Sequence, residues 1–234
     1  DDDHVLFVAE GDSLDVASPA IVEFVLPWYK VGSVTPITRE LLEDAAQGEN
    51  GLLETIGRSL SRSLANRIDK VSFGGAAPAD GWAGIQQSHA DFHDAGTTDL
   101  QDVDAILDGI ALVRESGGEP ASVVTSPHVA AELAKSKRGT GSNEPLLGAS
   151  AADALSNTVA GLPIITSKHV APGAIYVLAP TFAVFGVHRD AQVETDSSVY
   201  FDKDSYACRI TLRASAKVIQ PEHAAVISTD LGSV

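Results

Sequence analysis

The chain has 234 residues and a mass of 24.3 kDa, enough for one large domain or two small ones. Area scaling gives roughly 10,000 Å² of folded surface against about 35,000 Å² unfolded, so a core can form without disulfide or metal staples. Hydrophobic residues at 44% and charged residues at 21% exclude wholesale disorder, the lone Cys208 excludes an intramolecular disulfide, and 32 acids against 16 bases exclude a surface that grips nucleic acid throughout.

The opening 36 residues read as extended and poorly covered. Val5 to Ala9 is a short apolar strand ahead of the turn Glu10-Gly11-Asp12-Ser13. Ile21 to Leu26 and Trp28 to Val34 form a second extended stretch, and Pro19, Pro27 and Pro36 exclude a helix. A lone two-stranded arm is marginal in water, so it needs something to lie against, and a partner chain is the natural support.

Thr38 then caps a helix with Glu40 in its first turn. After Gln47-Gly48-Glu49-Asn50-Gly51 comes the clearest helical pattern. Leu53, Ile56, Leu60, Leu64 and Ile68 share one face, with Glu54, Arg58, Arg62 and Asn66 opposite. This helix stops at Gly74-Gly75 and Pro78. Thr98 and Gln101 read as a capping box for a helix through Leu100, Val103, Ile106, Leu107 and Ile110, ending at Gly117-Gly118. Ser122 to Thr125 is a strand, and Ser126-Pro127 opens a helix to Lys137. Arg138 to Pro145 reads as a loop. Strands follow at Pro163 to Thr166, Ala174 to Leu178, Phe182 to His188, Gln192 to Phe201, Tyr206 to Val218 and 222–229. The chain is α+β, with a strand-rich last third.

Chemistry is sparse along this sequence. His89 and His93, with Asp91 and Asp94, would share a helix face and could hold a metal, but the sequence fixes no third ligand, and a solvated polar loop fits the same residues. His4, His128, His169, His188 and His223 are scattered singly. Cys208 lies in a predicted strand beside Ala207 and Ile210 and reads as a small buried hydrophobe. Gly139-Thr140-Gly141-Ser142 lacks the ending of a phosphate loop, and no Gly-x-Ser-x-Gly elbow is present. Lys30 could be a reactive amine or a solvated charge beside Tyr29, and Asp1-Asp2-Asp3 reads as a solvated end. The reading therefore names no catalytic, cofactor-binding or metal residue, no cofactor and no enzyme activity. The net charge of −16 serves solubility, and 20 Asp and 12 Glu against 7 Lys also fit adaptation to high salt.

Several segments, in order, resemble the tailed-phage major capsid protein family with the Hong Kong 97 fold. Phe7-Val8-Ala9-Glu10-Gly11 and Thr35-Pro36-Ile37-Thr38-Arg39-Glu40-Leu41-Leu42-Glu43-Asp44-Ala45 look like that family's extended loop leading into its long helix. Phe73-Gly74-Gly75, Pro78 and Gly81-Trp82 are similar to its glycine-rich segment. Ser122-Val123-Val124-Thr125-Ser126-Pro127, with Ala131 and Leu133, resembles its axial strand-to-helix passage. Gly161-Leu162-Pro163-Ile164, Ala171-Pro172-Gly173-Ala174, Tyr200-Phe201-Asp202-Lys203-Asp204 and Arg209 to Arg213 complete a resemblance that covers nearly the whole chain.

The resemblance implies an N-terminal segment and extended loop in residues 1–36. It implies a peripheral domain with a long spine helix and long strands in 37–95 and 189–219, and an axial domain in 96–188 and 220–234. It further implies pentamers and hexamers in an icosahedral shell around a double-stranded DNA genome, located in the virion and assembled in the host cytoplasm. The implied partners are neighbouring subunits, reached through the loop, and portal and decorating proteins. DNA is enclosed without sequence-specific binding, and no membrane is involved. The absence of Met, Asp1 included, fits the family's loss of an N-terminal segment to a protease, and the acidic balance suggests a virus of a salt-loving host. Two other readings stay open at this point: an encapsulin-type nanocompartment shell, and a metal-dependent hydrolase using His89, His93 and nearby acids.

Overall fold

The computed structural model describes residues 23–46, 52–75, 78–100, 103–136 and 158–230. Within them lie two sheets, each with its own helices. The first is three-stranded in the order β1-β8-β7, built from β1 (Tyr29–Thr38), β7 (Ala183–Tyr200) and β8 (Ser205–Val218), all antiparallel. Cys208, Ile210, Leu212 and Ala214 alternate along β8 and face one way. Helix α2 (Leu52–Phe73) covers that face with Leu60 and Leu64, while Ile56 and Ile68 pack at the margins. The period of four in the helix and of two in the strand thus meet in a single core. The opposite face of this sheet carries no helix among the described residues.

The second sheet runs β2-β9-β6-β3-β5-β4. Its strands are β2 (His93–Thr98), β3 (Ser122–Thr125), β4 (Thr158–Val159), β5 (Leu162–Thr166), β6 (Ala174–Leu178) and β9 (Ala224–Thr229). Helices α4 (Asp104–Glu115) and α5 (Pro127–Lys135) cover one face through Ile106, Ile110, Val113, Val129 and Leu133. On the other face Tyr176, Leu178 and Val124 meet Phe92 and Ile85, the latter from the short helix α3 (Ile85–Ser88). A sheet buried on both sides needs apolar residues at successive positions, which is why Ile175-Tyr176-Val177-Leu178 does not alternate. Phe73, Phe182 and Val218 pack at the edge of this core, so the end of α2 and the roots of β7 and β8 join the two sheets.

Local signals hold where a side chain meets its own backbone. Thr38 Oγ1 accepts from the Leu41 amide at 3.4 Å at the start of α1 (Arg39–Ala46). Ser126 accepts from Val129 at 3.4 Å with Pro127 in the first turn of α5. Gly117, at φ +85°, ends α4 in the left-handed region that favours glycine.

Four expectations are corrected. Trp28 to Val34 is not part of an arm awaiting another chain: Tyr29–Thr38 pairs along its length with β8 of the same chain. Thr98 does not cap α4. It ends β2, and its hydroxyl accepts from Leu100 at 3.1 Å in a tight turn, while α4 starts at Asp104 with Leu107 exposed. Phe182 to His188 and Gln192 to Phe201 are one strand, β7, which absorbs extra residues at register shifts between Val187, Arg189 and Gln192. His93, read as loop or helix, begins β2. Val5 to Ala9, Gln101, Lys137, the loop at 138–145 and the Gly139-to-Ser142 stretch lie outside the described residues.

Candidate assembly surface

The candidate chemical residues do not converge. His89 sits in an exposed 3-10 turn (His89–Asp91), its Nδ1 against the Gln86 carbonyl. His93, in β2, is half-buried, and its Nε2 has no hydrogen-bond partner. They share no helix face, and among the described residues no group of three or more His, Cys, Asp or Glu could hold a metal. The geometry on which the metal-hydrolase reading depended is therefore missing.

Three of the other histidines brace the fold, while His128 is exposed in the first turn of α5. His223 Nδ1 lies 2.7 Å from Thr181 Oγ1, and its Nε2 lies 3.2 Å from the Ser116 carbonyl, which pins the end of α4 to the approach to β9. His169 reaches Asn66 Oδ1 of α2 at 3.0 Å. His188 stacks, tilted, on Trp28 with ring centroids 5.2 Å apart. Cys208 is buried in the α2 face of β8. His4 and Asp1 to Asp3 fall outside the described residues.

Few carboxyls are perturbed, and those that are answer to near neighbours. The hydroxyl and amide of Ser198 bond Asp196 at 2.6 and 2.7 Å and hold its carboxyl below the usual range. Lys135, at 2.7 Å, does the same for Glu132. Burial pushes the Tyr176 phenol up to about 12. These perturbations are structural and do not gather in a cleft.

What the molecule does present is surface that its own fold leaves uncovered. The β7–β8 hairpin turns at the end of the three-stranded sheet where β1 gives way to α1, and β7 is exposed over nearly its whole length. At its tip Phe201 is 85% exposed, the most exposed large apolar side chain among the described residues, with Val193 and Val199 also open on β7. The tip itself is held firmly. Asp204, left-handed at φ +45°, pairs its carboxylate with Arg39 Nε at 2.8 Å and accepts the Arg39 amide at 3.0 Å, and the Arg39 guanidinium lies 5.8 Å over the Tyr206 ring. An apolar side chain on a braced tip suits contact with another molecule more than local packing.

Beyond the end where Leu26 and Trp28 lie against Gly186, the sheet face away from α2 is uncovered by the described residues and cationic. Lys30 of β1, Arg213 of β8 and Arg189 of β7 stand abreast in register. Four residues along β8, Arg209 pairs with Glu194 of β7. Lys30, Arg213 and Arg189 have no ion pair among the described residues. Sequence reading noticed Lys30 only as a lone amine, because the row depends on a register joining positions 30, 189 and 213. Both outer edges of this sheet, β1 and β7, are unpaired among the described residues, and such edges invite a further strand or a covering chain. No described helix is long and apolar enough to cross a membrane.

Comparison with known proteins follows the same direction. The model of the phage capsid family matches residues 2–229. A solved chain from Microbacterium phage Oxtober96 superposes with a TM-score of 0.72 at 16% identity, over 97% of this chain and 81% of that one. A chain from Mycobacterium phage Adephagia gives 0.70 at 14%, over 97% and 80%. The capsid of a native GTA particle, computed with C5 symmetry, gives 0.73 at 16%, over 95% and 80%. No curated protein sequence matches.

Proposed function

Because the chain belongs to the phage capsid family and is a major capsid protein, we propose that many copies of it close, as pentamers and hexamers, into an icosahedral shell around double-stranded DNA. The match to the family across residues 2–229 carries this reading. The unpaired edges, the open sheet face and the exposed Phe201 support it physically, since none of them is covered by the described residues and a neighbouring subunit can cover each. Modest contacts repeated around closed symmetry leave no free edge in the finished particle.

In this reading the part of residues 1–36 that precedes β1 reaches onto neighbours, while Tyr29–Thr38 stays paired with β8 of its own chain. Residues 37–95 and 189–219 form the peripheral part, and 96–188 with 220–234 form the axial part, with β1, β2 and β7 running across those borders. The DNA is held by enclosure and not by sequence readout, because an excess of 16 negative charges disfavours phosphate contact over most of the surface. Portal and decorating proteins join the shell. The subunit is assembled in the host cytoplasm and resides in the virion capsid.

Electron microscopy in high-salt buffer, with absorbance at 260 and 280 nm on the same fraction, tests the proposal. Closed icosahedral shells that contain nucleic acid are expected. Uniform shells filled with protein and free of nucleic acid would overturn the genome-enclosing role, and a chain that stays monomeric under all salt conditions would overturn self-assembly.

A further inference from the structure

The solvent side of helix α2 carries charge of the opposite sign to the chain as a whole. The helix holds four of the 16 bases, Arg58, Arg62, Arg67 and Lys70, and only two of the 32 acids, Glu54 and Asp69. Glu54 is already engaged by Arg58 at 2.7 Å, while Arg62, Arg67 and Lys70 are exposed and have no ion pair among the described residues. Leu60, Leu64 and Val71 are buried against the subunit, so at about 100° per residue Arg62, Asn66 and Lys70 lie on the side turned away from it, with Asp69 as the one unpaired acid there. Arg58 and Arg62, one turn apart, repel each other at a small cost to the helix.

A second element adds to this side. The turn after β5 brings His169 to Asn66, with Nε2 donating to Oδ1 at 3.0 Å, and the adjoining Lys168 is exposed. Residues 158–173 contain no acid. The hydrogen bond therefore sets Lys168 beside the helix near the level of Asn66, with Arg62 and Lys70 one turn to either side. Those two lie about 12 Å apart along the axis, a length over which a duplex presents about seven phosphates. Arg67 stands on the flank, in a cleft that also holds Lys30 and Asp80. Among the bases are Ser59, Ser61, Ser63 and Asn66, and no described side chain of α2 is a large apolar one left exposed. This surface is thus unlike the Phe201 tip. Contacts between protein subunits centre on apolar side chains, whereas contacts to phosphate are made by Arg, Lys, Ser and Asn without them.

We infer that this side of α2, with Arg62, Lys70 and Lys168 at its centre, binds the phosphate backbone of the double-stranded DNA that the shell encloses. This deepens the shell reading and rests on it, and it turns the helix toward the genome. The contact is to phosphate and not to base edges, so it carries no sequence information. A few such contacts on one subunit are weak and are released by salt. A shell repeats them in every copy, so the duplex meets many weak sites at once. The excess of 16 negative charges elsewhere on each subunit keeps DNA from the remaining surface.

The test measures duplex binding by the dispersed full-length subunit, apart from assembly. Fluorescence anisotropy of a labelled duplex of about 30 base pairs is followed from about 25 to about 200 mM salt, with thermal unfolding as the check on folding. One variant carries Arg62→Glu, Lys70→Glu and Lys168→Glu. A second makes the same change in net charge on the other side of the sheet, with Lys30→Glu, Arg189→Glu and Arg213→Glu. The parent is expected to bind with a log–log salt slope of about −3. The α2 variant should lose about tenfold or more in affinity, alike for A·T-rich and G·C-rich duplexes, and its slope should fall toward zero. The sheet variant should lose about threefold or less, because its charges act only across a distance that salt screens. Arg62→Gln, Lys70→Gln and Lys168→Gln together should flatten the slope in the same way, and they serve if the reversals disturb folding. A parent that binds no duplex at the lowest salt would overturn the proposal, as would an equal or greater loss in the sheet variant. An α2 variant that keeps its affinity for DNA but loses particles would overturn it in favour of a contact with a second copy. Duplex binding as expected by a chain that forms no shells is the separate failure of the shell reading.

Discussion

Replacing Gly84 with alanine should loosen the seam between the two sheets, whereas the same change at Gly57 should tighten the protein. Gly84 precedes α3 and lies against the end of α2. A methyl group there meets three backbone carbonyl oxygens at once, that of Val71 most closely, then those of Ser72 at 2.8 Å and Gly74 at 3.0 Å. No side-chain rotation relieves contacts with backbone, so either the α2 terminus unwinds or α3 moves outward. Outward movement draws Ile85 from the core it shares with Phe92, Val124 and Tyr176, and it disturbs Trp82, whose indole NH donates to Ser72 Oγ at 3.3 Å. Overpacking of this kind costs about 1–3 kcal/mol, and contact with three oxygens places Gly84→Ala near the upper end. Gly57 is different: it lies inside α2, and a methyl group there meets nothing within 4 Å. Alanine in place of a helix-interior glycine gains about 0.5–1 kcal/mol.

Urea unfolding of the dispersed subunit, followed by the fluorescence of buried Trp82, reads both substitutions on one scale. With a slope of about 2 kcal/mol per molar urea, Gly84→Ala lowers the midpoint by about 1–1.5 M and Gly57→Ala raises it by about 0.3–0.5 M. A Gly84→Ala midpoint equal to the parent's would refute the argument, because it would mean that the helix end and α3 do not meet as described. A lowered midpoint for Gly57→Ala would refute the companion claim that α2 is open to solvent at that position.

Other expectations follow from the same geometry. Leu64→Ala, which removes a buried side chain from the α2–sheet core, should cost about 2–5 kcal/mol in the same urea experiment. For Tyr176, burial raises the phenol pKa from 10.0 to about 12; its contribution is therefore complete below pH 10 and is lost as pH rises toward 12. The parent should accordingly lose stability relative to Tyr176→Phe between those values, and parallel curves from pH 9 to 12 would rule this out. Phe201→Ser, at the exposed hairpin tip, should leave the unfolding midpoint of the dispersed subunit within about 0.5 kcal/mol but reduce particle yield, as counted by electron microscopy. Particles should loosen on dilution to about 10 mM salt without divalent cations, where the Debye length reaches roughly 30 Å and subunits of charge −16 feel one another fully. Light scattering that stays constant for days would contradict the idea.

What could be read from the sequence divides along a physical line. Elements fixed by contacts within a few residues were legible: the Ser126-Pro127 start of α5, the Thr38 cap, the apolar stripe of α2 and the Gly117 stop. Elements fixed by distant partners were not. His93–Thr98 is polar and contains Gly96 at φ +85°, so nothing local marks it as a strand. It becomes one because β9, some 130 positions later, supplies a parallel ladder. Strand β7 is open on both faces, so it has no alternation to announce its length, and its register shifts look like a break in sequence. Thr98 offered the same hydroxyl to a turn that a helix cap would use, and only tertiary context decides between them.

The candidate surface divides in the same way. That the chain builds a shell was legible through a resemblance spread over its whole length, since a fold kept for assembly leaves its mark in turns, caps and core positions. The cation row was not legible, because a surface is a property of register. Lys30, Arg189 and Arg213 lie more than 150 positions apart at the extremes, and only the pairing of three strands sets them side by side. The acidic opening was visible as composition, but composition without a facing surface says only that the segment is solvated. The −16 of the whole subunit is an uneven sum: the first 28 residues hold seven acids and no Lys or Arg, whereas along β1, β7 and β8 bases outnumber acids five to three.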